Sequence, residues 1–144
     1  MSLPNPYAQY RQTQAQTSGQ LKLIIMLHDG AIRFLQQASA AIQVKDYSKM
    51  SENFNRANDI LIHLCASLKP ETGEIAVNLN NIYLYCQERT VVANATEDVK
   101  IVEEIIGHLR PIRDAWDQIE HSKGSESHAS DAPRSARNDW SFAA

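Results

Sequence analysis

The sequence has no long apolar run, no excess of basic charge and few cysteines, and each of these absences excludes a class of protein. No stretch of the 144 residues approaches the roughly 20 apolar positions that a membrane-spanning helix requires. The N-terminal segment MSLPNPYAQYRQTQ is polar and lacks the apolar core of a secretory signal. A formal net charge of −3 argues against an electrostatic nucleic-acid binder, which normally presents a basic face. These absences predict a cytoplasmic protein that neither inserts into membranes nor binds nucleic acid.

Recognisable motifs for catalysis and metal binding are also missing. Cys65 and Cys86 form no C-x-x-C pair and are expected to be reduced thiols near the core. No G-x-S-x-G or Walker pattern occurs. Two acid–histidine pairs lie four residues apart: Asp59 with His63, and Glu104 with His108. Because the Glu-x-x-His spacing of di-iron bundles is absent, we interpret both as exposed polar pairs and expect no enzyme, metal or cofactor.

The apolar residues follow a helical period, although one stretch carries two conflicting signals. In LIIMLHDGAIRFL, residues 23–35, the Asp29-Gly30 pair is a strong hairpin turn signal. Apolar residues nevertheless recur at steps of three and four, as one buried helical stripe requires. A hairpin would show alternation, whereas this stretch contains two solid apolar runs. It is therefore predicted to be one helix from about Gly19 to about Gln43.

Two more amphipathic segments follow, each with start and stop signals. Asp46 is the predicted N-cap of the second helix. Lys69-Pro70 is its predicted end, because the residue before a proline is pushed out of helical geometry. Thr72 is predicted to cap the third helix, which the Asn94-Ala95-Thr96 segment ends.

A fourth helix completes the pattern. Glu97 and Asp98 are predicted to lie in its first turn, where the helix dipole favours negative charge. Pro111 predicts either a kink in this helix or a separate short C-terminal helix. Four such helices with short connections predict an all-α fold, an antiparallel up-down four-helix bundle over residues 18–121. Residues 1–17 are predicted to be a mobile N-terminal segment, and residues 122–144 a disordered tail of Ser, Ala and Asp.

The first helix has more apolar residues than a single buried stripe needs. Ile25, Met26 and Ile32 lie on faces beside the main stripe, so the apolar arc is wider than usual. Two interpretations stay open: this helix is buried on more than one side, or it forms a groove for a partner helix. Tyr7 and Tyr10 precede the bundle and either fasten the N-terminal segment to it or belong to a binding surface.

Several short segments, taken in order, match the sequence pattern of one protein family. The first is LIIMLHDGAIRFL, close to that family's Leu-Ile-x-Met-Leu-Tyr-Asp-Gly-Ala-Ile. The second is GEIAVNLNNIYLYC, residues 73–86, where the family carries Gly-x-x-Ile-Ala-x-Asn-Leu and Leu-Tyr-x-Tyr. The remaining matches are Arg56-Ala57 with Ile60 and Leu64, Ala93-Asn94, Glu103-Glu104 and Arg113-Asp114-Ala115-Trp116. From about Tyr10 to Trp116 the chain therefore resembles the flagellin-specific export chaperone family of bacteria (FliS).

The sequence departs from the family pattern in one short segment and at one further residue. The family usually enters its first long helix with Thr-Ala-Ser-Pro, where this chain has Thr17-Ser18-Gly19-Gln20. Glycine is a tolerable cap, so the helix is still expected to form. His28 replaces the family's tyrosine before Asp-Gly, and any contact assigned to that aromatic ring is therefore not carried over.

The resemblance implies a cytoplasmic chaperone that binds the C-terminal segment of flagellin, prevents its polymerisation and delivers it to the flagellar export gate. The chain itself is expected to be a monomer or a weak homodimer. Tyr10 matches a family tyrosine near the flagellin site and is the first binding candidate. The other candidate partner-binding residues are Tyr7, Ile25, Asp29, Gly30, Ile32, Asn78 and Tyr83. For Gly30 the open question is whether a helix of this bundle or a helix of flagellin approaches it.

Helical bundles also serve as histidine phosphotransfer modules, which is the alternative function. In such modules an exposed histidine is followed at short helical spacing by lysine and glycine. The segments HDGAIRF, from His28, and HLCASLK, from His63, match this pattern poorly.

Overall fold

A computed structural model describes the backbone of residues 6–68 and 73–125 and the side chains of residues 19–68 and 73–122. The described chain forms four helices and no strand, which confirms the predicted all-α four-helix bundle. The helices are α1, Pro6–Gln43; α2, Tyr47–Ala66; α3, Glu74–Thr96; and α4, Val99–Ser125. In this part of the chain no helix is both long and apolar enough to cross a bilayer.

The four helices form a closed ring in chain order. Helix α1 packs against α2 and α4, and α3 packs against the same two helices from the opposite corner. Polar contacts give the direction of one such pair. Asp29 and Lys22 of α1 meet Arg113 and Glu120 of α4 in reversed order, as antiparallel helices must. The core between the helices holds fully buried side chains from all four, among them Leu35, Phe54, Tyr83 and Trp116.

Helix α1 starts earlier than the sequence pattern predicted. It begins at Pro6, so the predicted start near Gly19 was wrong, and Thr17, Ser18 and Gly19 lie inside the helix. Two features explain the difference. Proline is well suited to the first helical position because its fixed φ is already helical. The RQTQAQ stretch that follows contains no helix breaker, and its Gln, Ala and Arg residues favour helix. The mobility of residues 1–17 stays a prediction.

The connections between the helices confirm one predicted N-cap, correct another, and correct the predicted position of Glu97. The Asp46 carboxylate accepts a 3.1 Å hydrogen bond from the Lys49 amide, which makes Asp46 the N-cap of α2. The N-cap of α3 is Gly73 rather than Thr72, which lies outside the described residues with Lys69 and Pro70. Glu97 is not in the first turn of α4 but follows α3 in the left-handed conformation, with φ of 57°.

Helix α4 runs unbroken through Pro111, so the alternative of a separate short C-terminal helix is not realised. Proline donates no backbone hydrogen bond to the carbonyl four residues earlier, here that of Gly107. Both Gly107 and Pro111 are exposed, so water can satisfy the released carbonyl. The helix therefore tolerates this proline on its solvent face.

Candidate functional site

A buried polar chain joins α1 to α3 at the centre of the bundle. His28 is 0% exposed, its Nδ1 lies 2.8 Å from the Ile24 carbonyl oxygen, and its Nε2 lies 2.8 Å from the Tyr83 hydroxyl. Tyr83 is also 0% exposed, and burial raises its pKa. The sequence pattern marked His28 as a departure from a family motif and as a poor match to a phosphotransfer histidine, and gave no sign of its pairing with Tyr83. Their joint burial makes this pair a fixed part of the fold.

Asp29 is the outward-facing neighbour of this pair. Its carboxylate lies 2.8 Å from Nε of Arg113, which belongs to the Arg-Asp-Ala-Trp segment of α4. This hydrogen bond raises the pKa of Arg113. Two of the segments that carry the family resemblance therefore meet at the α1–α4 contact. Asp29 is half-buried, so a partner could reach it only at the edge of the α1–α4 contact. Its role in partner binding stays a prediction.

Gly30 faces a helix of its own bundle. A methyl group built on Gly30 would lie 3.3 Å from Cδ1 of Ile60, which is on α2. Glycine at this position allows a close approach of α1 and α2, which offsets part of the roughly 1 kcal/mol that glycine costs a helix relative to alanine. Ile60 of α2 is thus a neighbour of Gly30 within the bundle, and contact of Gly30 with flagellin stays a prediction.

Replacing Gly30 by alanine is expected to stabilise the bundle by about 0.5 kcal/mol, less than the full helix-propensity gain. The Ile60 methyl is the free end of a half-buried side chain and can move a few tenths of an ångström. Leucine at position 30 should instead cost about 1–3 kcal/mol through overpacking. Urea unfolding of each variant measures these differences.

Gly107→Ala is the matched control, because nothing lies within 4 Å of a methyl group at that position. It should gain more stability than Gly30→Ala. If Gly30→Ala loses stability, Ile60 cannot move and the α1–α2 contact has no room for a methyl group.

The remaining predicted site residues fall into three groups. Ile25 and Ile32 are 7% and 8% exposed, so α1 is buried on more than one side at these positions, whereas Met26 is 66% exposed. Asn78 is exposed on α3, whereas the side chains of Tyr7 and Tyr10 lie outside the described residues. Partner binding by these residues stays a prediction, and for Ile25 and Ile32 it requires the helices to separate.

An exposed apolar stripe on α3 is the feature that the sequence pattern did not reveal. Val77, Leu84 and Val91 are 43%, 50% and 60% exposed and recur every seven residues, so they share one face of the helix. We call these three residues the α3 stripe. Apolar residues occur on nearly every side of α3, so the pattern does not show which of them remain in water. The sequence did carry one signal for this stripe: α3 has no dominant polar face, so some of its apolar residues had to lie outside the core.

A polar cluster beside the α3 stripe explains one of the acid–histidine pairs. Glu104 accepts hydrogen bonds from the Tyr85 hydroxyl at 2.6 Å and from Arg89 at 3.0 Å, and lies 3.8 Å from His108. The Tyr85 hydrogen bond is the main reason that the pKa of Glu104 is lowered. Across the described residues no three His, Cys, Asp or Glu side chains gather as metal ligands. The hydrogen bonds of Glu104 with Tyr85 and Arg89 connect α4 to α3.

Comparisons with known proteins agree with this fold and with the segments that compose it. A sequence model of the family described as "Flagellar protein FliS" matches residues 3–123. A flagellar secretion chaperone FliS of Bacillus subtilis is 31% identical over 130 residues, which are 90% of this chain and 97% of that protein. The FliS proteins of Vibrio cholerae and Salmonella typhimurium are 36% and 38% identical over 68% of this chain, and the matches span 73% and 74% of their own lengths.

The match to the family model extends over most of the chain and includes both segments that meet at the Asp29–Arg113 contact. The Bacillus subtilis relative aligns over nearly its whole length. The chain therefore belongs to the FliS family, the flagellar secretion chaperones.

Proposed function

We propose that this protein is a cytoplasmic export chaperone that binds the C-terminal segment of flagellin, keeps it from polymerising and delivers it to the flagellar export gate. The observation that supports the proposal best is the α3 stripe, which places three exposed apolar side chains in a row along one helix face. Family membership supports the same role, because the relatives are named flagellar secretion chaperones.

The α3 stripe suits an amphipathic partner helix. Val77 and Val91 are 14 positions apart, which corresponds to about 21 Å along the helix axis, or about four turns of a partner helix. Asn81 and Glu88 are exposed on the same face, between the apolar residues of the stripe. A disordered segment can therefore fold against this face as it binds, with apolar contacts for affinity and polar contacts for register.

The proposed role requires neither a covalent step nor a cofactor. It also fits the surroundings of His28 better than the phosphotransfer alternative does. A phosphate acceptor must be accessible, but His28 is 0% exposed and both of its ring nitrogens lie at hydrogen-bonding distance. His63 is exposed, but lacks the lysine and glycine spacing of such modules.

Titration of the full chain with a peptide from the flagellin C-terminus tests the proposal. Calorimetry should show saturable binding with a negative heat-capacity change, because apolar surface is buried. The same chain should slow flagellin polymerisation when it is added in equimolar amount. A folded chain that shows neither effect would contradict the proposal. Sedimentation of the free chain at several concentrations tests the accompanying expectation of a monomer or weak homodimer.

Tyr10→Ala is expected to weaken peptide binding about tenfold, because aromatic side chains contribute strongly at interfaces. The melting temperature should stay nearly unchanged. A large fall in melting temperature would instead make Tyr10 a structural contact of the bundle. Tyr10→Phe is the control, because it keeps the ring and should bind nearly as well as the unchanged chain.

A further inference from the structure

The buried His28–Tyr83 pair has a fixed arrangement of protons. A backbone carbonyl oxygen can only accept a hydrogen bond, so Nδ1 of His28 must carry the proton that faces Ile24. In the neutral ring Nε2 then has no proton and accepts one from the Tyr83 hydroxyl. A protonated ring can still donate from Nε2 to the Tyr83 hydroxyl oxygen, but the hydroxyl hydrogen then loses its acceptor, so every one of these groups is satisfied only while His28 is neutral.

A second helix restricts the Tyr83 hydroxyl from its other side. Trp116 of α4 interacts with this hydroxyl and lowers the pKa of Tyr83, although burial outweighs this effect. An indole N–H can only donate, so this interaction acts on the hydroxyl oxygen and leaves the hydroxyl hydrogen for His28. One chain of contacts thus links α1, α3 and α4.

The charged neighbours of His28 do not compensate for a proton on its ring. Asp29 on α1 raises the pKa of His28, but its carboxylate is already paired with Arg113 of α4 at 2.8 Å. Arg113 lowers the pKa of His28, and burial lowers it most of all. The other titratable groups coupled to this site are Tyr83 and Cys86 on α3 and Cys65 on α2, and burial raises the pKa of each.

We propose that His28 is an acid-sensitive latch, which links α1 to α3 across the core while it is neutral and breaks this link when it takes up a proton. Protonation places a second N–H against the Tyr83 hydroxyl and removes the acceptor that this hydroxyl uses. It also creates a charge at a position with no exposure to water. The centre of α1, which carries Ile25 and Ile32, loosens as a result. This inference does not depend on flagellin binding.

The direction of the pH effect follows from proton linkage. The pKa of His28 in the folded chain lies below its ordinary value of 6.5, so between these two values the unfolded chain binds more protons than the folded chain. The contribution of His28 to the free energy of unfolding is therefore complete above pH 6.5. It decreases as the pH falls from there through the folded pKa.

Thermal unfolding of the full chain at pH 7.5 and pH 5.5 tests the latch. His28→Gln removes the titration but keeps groups that can donate and accept hydrogen bonds. We expect the melting temperature of the unchanged chain to fall by about 5 °C more than that of His28→Gln between these pH values. His63→Gln is the matched control, because His63 is exposed and its removal should leave the full pH dependence. Equal pH dependence of His28→Gln and the unchanged chain would overturn the proposal.

Measurements on the unchanged chain keep the test independent of how well His28→Gln folds. Ring nitrogen NMR should show His28 mainly as the neutral Nδ1–H form at pH 6.5, where an unperturbed imidazole is half protonated. Amide exchange, corrected for its intrinsic pH dependence, should become faster over residues 24–35 at pH 5.5. If His28 is half protonated at pH 6.5 while α1 keeps its protection at pH 5.5, the latch does not exist.

Discussion

Replacing Leu84 by aspartate is expected to weaken flagellin-peptide binding at least about 100-fold, because Leu84 is the central residue of the α3 stripe. A bound apolar helix would lose its main contact and would have to cover an unpaired carboxylate. Leu84 is 50% exposed and contributes little to the core, so the free energy of unfolding should change by less than about 1 kcal/mol. Calorimetric titration measures the first effect and urea unfolding the second.

Val44→Asp is the control for this prediction. Val44 is 74% exposed in the connection between α1 and α2, is not part of the α3 stripe, and receives the same change of charge. It should bind the peptide like the unchanged chain. If both variants bind normally, the partner does not use the stripe. If both lose binding equally, the effect comes from added negative charge.

Trp116→Ala is expected to cost about 3–5 kcal/mol, the largest loss of stability among these variants. Trp116 is among the largest of the fully buried side chains, and it reaches Tyr83 from α4. Since single domains are stable by only about 5–15 kcal/mol, this change removes a large share of the total. The midpoint of urea unfolding should fall while the slope of the transition stays similar, because the same surface is exposed on unfolding.

Trp116→Phe separates the two contributions of this side chain. Phenylalanine keeps much of the apolar contact but lacks the indole N–H, so it should lose clearly less stability than alanine. If the alanine variant unfolded at nearly the same urea concentration as the unchanged chain, Trp116 would not be a closely packed core residue. Circular dichroism follows both transitions, because removal of Trp116 also removes its fluorescence.

Residue periodicity was sufficient to predict the fold class, because apolar residues at steps of three and four form a continuous face only on a helix. It also established that Asp29-Gly30 lies inside a helix. It failed where local signals are weak alone, at the start of α1 and at Thr72 and Glu97, since helix ends depend on one or two residues. The α3 stripe was hidden for another reason. When nearly every face of a helix carries apolar residues, only the packing of its neighbours decides which face remains in water.

For the candidate binding residues, too, the sequence pattern alone did not show whether a residue packs in the core or faces a partner. Ile25, Ile32 and Tyr83 matched a family pattern, yet the bundle interior alone accounts for their apolar or aromatic character. The role of His28 depended on a residue 55 positions away, Tyr83, and sequence spacing contained no information about that contact. Tertiary contacts of this kind can be found only once the helices are placed.

The ring order of the helices has a consequence for how the chain folds during synthesis. Contacts between α1 and α2 and between α2 and α3 can form as each helix leaves the ribosome. The α1–α4 contact must wait, because α4 is made last. Until then, the Asp29 carboxylate lacks Arg113 and the Tyr83 hydroxyl lacks Trp116. We therefore expect a nascent three-helix chain to be loosely packed, and synthesis of α4 to be the step that locks the bundle.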